Sequence, residues 1–325
     1  MTAALALLGY AVGAAWCVPA LLAPLTRHGI SVRAGLAAWL TAMASVLLSG
    51  TVAVLFSVRT AAADWPRLTS TLCRSVAGGA CTPEVYRSLF YQAGVAALAA
   101  VLAFASVLAL WRYGRRVQRS RRQTRAHAAA ARLVGRALAA GAGSGAVVGR
   151  QAEAVVLDDP RPAAYCVAGR PAAIVLTSGA LEVLDPPQLG AVLAHERAHL
   201  AHADHLLATL TQGLAAAFPG VPLYATGAAE VARLAEMSAD DTAARASGRP
   251  ALVAALLAIA TGAAISSTGI PGGALAAAAH AVPARVERLL CPPTPGRSAA
   301  FTAMLTLALA LLAAAPLALA LFAPR

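Results

Sequence analysis

Four stretches of this chain run for twenty residues or more without a charged side chain: Ala3 to Leu25, Gly35 to Ser57, Phe90 to Leu110 and Ala299 to Phe322. A bilayer core takes about 20 apolar residues as helix. Lipid offers no partner to backbone polar groups, so each stretch must be helical. The composition agrees: 59% of residues are apolar and 12% charged, against about 25% charged in a soluble domain. The first stretch is long and has no basic residue ahead of it, which favours a retained span over a secretory signal. The expectation is an α-helical membrane protein with four transmembrane helices.

Arginines set the expected orientation. All 26 basic residues are Arg, giving a formal charge of +12. Arg27 and Arg33 follow the first span, and Arg112, Arg115, Arg116, Arg119, Arg121, Arg122 and Arg125 follow the third. Both segments are cytoplasmic if the N-terminus is outside. Residues 58–89 then form an external loop, where Cys73 and Cys81 could pair as a disulfide. The run from 112 to 125 contains no recognisable nucleic-acid motif and reads as contact with anionic lipid, so membrane lipid is expected as a partner and nucleic acid is not. The chain divides into a membrane domain at 1–125, a domain at 126–296 long enough to bury its own core, and a C-terminal span at 297–325.

Within 126–296, the segments 152–157, 164–168 and 173–177 read as strands, with Gly169-Arg170-Pro171 as a turn. Asp185 reads as an N-cap followed by two prolines in the first helical turn. The helix that follows carries His195-Glu196-Arg197-Ala198-His199. Residues i and i+4 share a helix face, so two imidazoles there can hold one Zn²⁺ with the glutamate beside it as general base. A catalytic zinc needs a third protein ligand and an open position. His205 has the spacing of a metzincin ligand, but no Gly lies between His199 and Gly213, so the helix should continue and point it away. Glu236 is the better candidate. Asp240, one turn later, would orient an imidazole as a supporting carboxylate. A solvated acidic helix face remains the alternative for 236–245.

Leu193 to His199, Glu236-Met237-Ser238-Ala239-Asp240-Asp241 and the lead-in Ile174 to Leu181 resemble the integral-membrane gluzincin metallopeptidases of the BlaR/MecR type, with the related HtpX-like peptidases sharing the plan. The resemblance is strongest over 160–290. It implies an inserted α+β zincin-like (gluzincin) metallopeptidase domain and one Zn²⁺ per chain. His195, His199 and Glu236 would be ligands, Glu196 the base and Asp240 the support. It also implies a basic segment late in the domain. His280 and Arg285 match it and would contact substrate or an oxyanion, or else serve as a cap or salt bridge. Strand 173–177 is expected as an edge that pairs with an extended substrate. The β-lactam sensors carry a penicillin-binding domain whose acylation motif needs a lysine. This sequence contains none, so a β-lactam receptor role is not expected.

The apolar run 251–265 is too short for a span and is expected to be a buried domain helix. Cys17, Cys166 and Cys291 read as packing residues, and His202 and His205 as the outer face of the active-site helix. The favoured function is a membrane-anchored zinc endopeptidase acting on a cytoplasmic or membrane-proximal protein, in regulated proteolysis or signalling and with a sensor or regulatory partner. The alternatives are an HtpX-like quality-control protease or a non-catalytic transducer that keeps the fold.

Overall fold

A computed structural model describes residues 2–27, 31–76, 83–137, 152–168, 172–266, 273–292 and 295–322. It is mostly helical. The elements are α1 (Thr2–Thr26), α2 (Val32–Val76), α3 (Pro83–Val134), β1 (Arg136–Ala137), β2 (Ala152–Leu157), β3 (Ala164–Val167), β4 (Ala172–Thr177), α4 (Ser178–Val183), α5 (Pro186–Ala201), α6 (Asp204–Ala217), α7 (Pro222–Ser247), α8 (Arg249–Ser266), α9 (Gly273–Leu290) and α10 (Pro295–Phe322).

Four helices are long and apolar enough to cross a membrane, within Thr2–Thr26, Val32–Trp65, Leu89–Gln123 and Ser298–Leu319. The protein is multi-pass. The second and third helices overrun their apolar windows. Much of the expected external loop at 58–89 is helical, because α2 persists to Val76 and α3 starts at Pro83. α3 likewise continues past 125 to Val134. The α3 extension past 125 runs through Ala- and Arg-rich sequence, where a nucleated helix extends cheaply; α2 stays helical through Pro66. Cys81 and the side chain of Cys73 lie outside the described residues. Cys17 is exposed on α1, on a surface a bilayer would cover.

The sheet has the order β1-β2-β4-β3. β4 pairs in parallel with β2 and antiparallel with β3, with Val175 opposite both Val155 and Tyr165. β4 is therefore central. The expected edge at 173–177 is corrected to β3, because both flanks of β4 are already hydrogen-bonded. The expected turn at 169–171 lies outside the described residues. Alternation along β4 serves two cores. Ile174 and Leu176 pack with Leu189, Val192 and Leu193 of α5 and Ala255 of α8, while Val175 packs with Val167 on the opposite face. α8 covers the helix expected at 251–265 and packs one face inward through Leu252 and Ala255, while Leu257 on another face is exposed.

At the end of β4, Thr177 caps α4 by accepting from the Ala180 amide at 3.1 Å and donates to the Arg161 carbonyl at 2.8 Å. Gly179 follows because nothing larger fits: a Cβ there would lie 2.1 Å from the Pro160 carbonyl oxygen. α5 opens with a reciprocal capping box, Asp185 accepting from the Gln188 amide and Gln188 accepting from the Asp185 amide, with prolines in its first turn.

The helices that follow the sheet do not form a detached body. α6 and α7 share one apolar core with α1, α2 and α10, including Trp39, Met43, Leu214, Leu223, Val231, Leu234 and Leu305. Small residues allow the close approach: a Cβ on Gly35 would meet Leu234 at 3.2 Å, and one on Gly227 would meet Met43 Sδ at 3.0 Å. The contact is riveted by polar groups. Arg233 donates to the carbonyls of Thr26 at 2.7 Å and Arg27 at 2.9 Å and to Glu230 at 2.7 Å. The Thr26 hydroxyl donates to Glu230 at 3.1 Å and accepts from the Trp39 indole at 3.2 Å.

Replacing Gly179 with Ala forces backbone apart at the β4–α4 junction. Thermal unfolding should show a loss of about 1–3 kcal/mol or more, whereas Gly190→Ala, where nothing approaches within 4 Å, should not lower the melting temperature.

Candidate active site

α5 and α7 pack side by side and bring their polar residues together where α5 would otherwise be an apolar core helix. Leu189, Ala191, Val192, Leu193 and Ala198 fix α5 in the interior. His195 and Glu196 are each 7% exposed. The two imidazoles face one another, His195 Nε2 lying 3.1 Å from His199 Nε2. The Glu236 carboxylate closes the triangle, with Oε2 3.5 Å from His195 Nε2 and Oε1 3.4 Å from His199 Nε2. Among the described residues, this His-His-Glu group has its ligand atoms within 4.8 Å of one another. Two donors on a tetrahedral zinc at about 2.05 Å stand about 3.3 Å apart, so the observed separations match a zinc site in donor type and spacing.

Each imidazole turns its other nitrogen to a carboxylate. His195 Nδ1 lies 3.1 Å from Asp240 Oδ1, and His199 Nδ1 lies 2.7 Å from Asp204 Oδ2. The His199 contact is a hydrogen bond, whereas His195 Nδ1 approaches Asp240 as an ion pair without hydrogen-bond geometry; carboxylates so placed orient the rings and leave Nε2 free to ligate. Burial opposes charge on His195, but Asp240 and Glu236 outweigh it and push its pKa up to about 9. Burial also pushes Asp240 upward, yet the Arg285 fork and His195 hold it at about 2. The Glu236 side chain is 42% exposed; partial desolvation raises its carboxyl, and His195 and Arg285 outweigh that and lower it.

Asp204 is a functional candidate that the spacing argument missed. The helix was expected to continue past His199, and this is corrected: α5 ends at His202 and Ala203 adopts φ 55°. The reversal swings buried Asp204 back under His199. Ala203 thus does the helix-breaking for which only Gly was considered. Asn or Gly would have signalled it; Ala carries no local signal for a left-handed conformation. His202 and His205 are exposed, and His205 is not in the metal group.

Arg285 does not face open space. Its Nε and Nη2 donate to Asp240 at 2.8 and 2.6 Å, and its Nη1 lies 3.1 Å from Glu236. The salt-bridging alternative describes it better than an oxyanion contact, because all three nitrogens already face carboxylates. Arg288 repeats the fork one turn later on Asp241, both contacts at 2.8 Å. His280 lies on α9, but its side chain is outside the described residues.

Burial raises the Glu196 carboxyl, and the two imidazoles partly offset this. Cys166 on β3 is half-buried against Glu196, and burial first and that carboxylate second push its thiol to about 12. Cys166 is therefore a packing neighbour of the site. Cys291 is exposed rather than buried. Beside Cys166 opens a groove of about 740 Å³, lined by Tyr165 to Val167 of β3 and the following Ala168, by Gln123, Ala126 and Ala130 of α3, and by His205.

The sequence signature of peptidase family M48 matches residues 121–290, a little over half of the chain. Shorter stretches resemble curated HtpX homologs. The protease HtpX homolog of Acidiphilium cryptum (strain JF-5) is 42% identical over 64 residues, 19% of this chain and 22% of its own. That of Tropheryma whipplei (strain Twist) is 39% identical over 67 residues, 20% and 23% of the two chains. That of Ralstonia nicotianae is 35% identical over 72 residues, 22% and 25%. The matched stretch spans about a quarter of the length of these relatives. No solved structure matches the chain significantly.

Replacing Asp204 with Ala should weaken zinc binding by roughly 10–100-fold, read by competition with a chromogenic chelator. Thr209→Ala, whose hydroxyl bonds only to its own helix at His205, should leave the affinity unchanged.

Proposed function

The chain belongs to peptidase family M48, and from that premise we propose that it is a zinc-dependent endopeptidase anchored by four helices, with His195, His199 and Glu236 as ligands and an inserted zincin-like domain. The observation that carries this reading is the convergence of three ligand atoms from α5 and α7 at 3.1 to 3.5 Å, with carboxylates behind both imidazoles. Zinc bound there would supply Lewis-acid chemistry, polarising a peptide carbonyl and acidifying water.

The remaining steps belong to the chain. Glu196 sits one residue past His195 on the same helix, buried enough for its carboxyl to be raised. A raised carboxyl is the stronger base once ionised. It takes a proton from the attacking water and delivers it to the leaving amine as the C–N bond breaks. Asp240 and Asp204 hold the imidazoles in register, and Arg285 holds Asp240 and Glu236. An extended substrate would add to the outer edge of β3 by main-chain hydrogen bonds, in the groove lined by Tyr165, Cys166 and Val167, with Cys166 next to Glu196.

The substrate class is a protein segment close to the membrane, consistent with a site built on helices that pack against the spans. The arginine placement supports an outside N-terminus and a cytoplasmic peptidase domain. The likeness to HtpX homologs supports an HtpX-type protease; regulated proteolysis with a sensor partner is the form suggested by the gluzincin resemblance.

Purified protein should hold about one zinc per chain. Glu196→Gln should keep that zinc and lose casein hydrolysis by roughly 10²–10⁴-fold. Full hydrolysis by the variant would remove Glu196 from its role. Zinc retention without any hydrolysis by the wild-type chain would leave the non-catalytic transducer as the better reading.

A further inference from the structure

From His205 the chain enters a run, residues 206–229, that contains no charged side chain. The structure folds it as the hairpin of α6 and α7, turning at Phe218-Pro219-Gly220-Val221-Pro222. Its place against the spans gives its depth. Gly35 opens the apolar window of α2 and lies against Leu234. Met43, eight residues on, lies against Gly227, about 12 Å deeper along the helix. α7 thus runs antiparallel to α2, and Pro222 lies about 7 Å deeper again. That is close to the centre of a hydrocarbon layer about 30 Å thick. The other leg gives a shallower bound. Gly213 of α6 lies against Tyr113, three residues past the apolar window of α3, and Ala217 is about 6 Å further in. Tyr113 stands about 4.5 Å outside that window, so this leg brings Ala217 just past the hydrocarbon edge, and the turn beyond it lies on the hydrocarbon side by both legs, near the centre by the first and near the edge by the second.

The turn has few backbone donors to satisfy, which lowers the cost of a medium without hydrogen-bond partners. Pro219 and Pro222 have no backbone donor. The Phe218 amide donates to Leu214 O at 3.0 Å and the Val221 amide to Phe218 O at 3.3 Å. Thr209 and Thr211 donate to carbonyls of their own helix, and Gln212 accepts from Arg116 at 3.2 Å. On the outer surface Leu206, Leu210, Ala216, Pro219, Ala225 and Ala229 are apolar, and the exposed polar side chain, Gln212, sits at the level of Arg116, outside the apolar window of α3. Phe218 and Tyr224 stack at 5.0 Å to close the tip.

We propose that the α6–α7 hairpin is a re-entrant membrane element, its tip seated among lipid acyl chains beside α2 without crossing to the far side. It rests on the four-span reading and not on proteolysis. Glu236 lies two residues past Leu234, so α7 carries its ligand out of the bilayer at the level where the hydrocarbon ends.

The test uses the full-length chain, its five cysteines replaced by Ala, in phosphatidylcholine vesicles. Nitroxides are attached singly at Ala216→Cys and Ala225→Cys, with Leu48→Cys as the in-span control and Glu182→Cys as the aqueous control. Both hairpin probes should collide freely with oxygen and be shielded several-fold from Ni(II)EDDA relative to Glu182→Cys, as Leu48→Cys is. Nickel access at both hairpin probes with Leu48→Cys shielded overturns the proposal, whereas access at Leu48→Cys overturns the span reading itself. In the chain with native cysteines, Ala225→Arg should lower the melting temperature in vesicles well below that of Ala225→Ser. Equal melting temperatures would overturn the proposal independently of the cysteine-free background.

Discussion

Asp240 is a carboxylate with 1% of its surface exposed, and the site is arranged around satisfying it. An unpaired buried charge costs several kcal/mol, while a paired one with every lone pair engaged is tolerated. Arg285 supplies two donors and His195 a third contact. The same guanidinium reaches Glu236. One buried anion thereby fixes the rotamer of an imidazole on α5, the position of α9 and the direction of the acidic group one turn earlier on α7. Buried ion networks are weak contributors to net stability. Here the return is geometric: three atoms from two helices are held at spacings that suit a tetrahedral cation before any cation arrives.

α7 links that polar centre to the apolar bundle. Its first half packs Leu223, Val231 and Leu234 against α1 and α2, and its second half carries Glu236, Asp240 and Asp241. Sheet and helices alone give a small domain with one core face on β4 and α5. The apolar faces of α6 and α7 that carry Leu214, Leu223, Val231 and Leu234 are buried against α1, α2 and α10, so the two parts share a core rather than a linker.

Much of this was legible in the sequence because the signals were local. Four uncharged windows marked the spans, Asp185 with two prolines marked the start of α5, and His195 to His199 marked a shared helix face. Glu236 was found because a zinc site lacked a ligand, and Asp240 because it lay one turn on. The features that escaped depend on what surrounds a residue. No spacing rule shows that β4 has neighbours on both sides, since strand order is set by the chain path through β3. Ala203 has no intrinsic preference for its left-handed conformation, so Asp204 was hidden. Arg285 matched a basic motif, but only the fold shows that its donors meet carboxylates. The run 206–229 escaped because a turn splits it into two segments, each too short to register as a span.

The Arg233 contacts bear on the first span. A helix ends with carbonyls that lack partners, and in α1 the carbonyls of Thr26 and Arg27 are answered by a side chain from α7. The last turn of α1 is thus stitched to the helix that carries Glu236. A tilt or piston shift of that membrane segment must either drag α7 with it or release a guanidinium and a carboxylate into an apolar seam. The end of the first membrane helix and the helix bearing Glu236 are thereby seated on one shared joint.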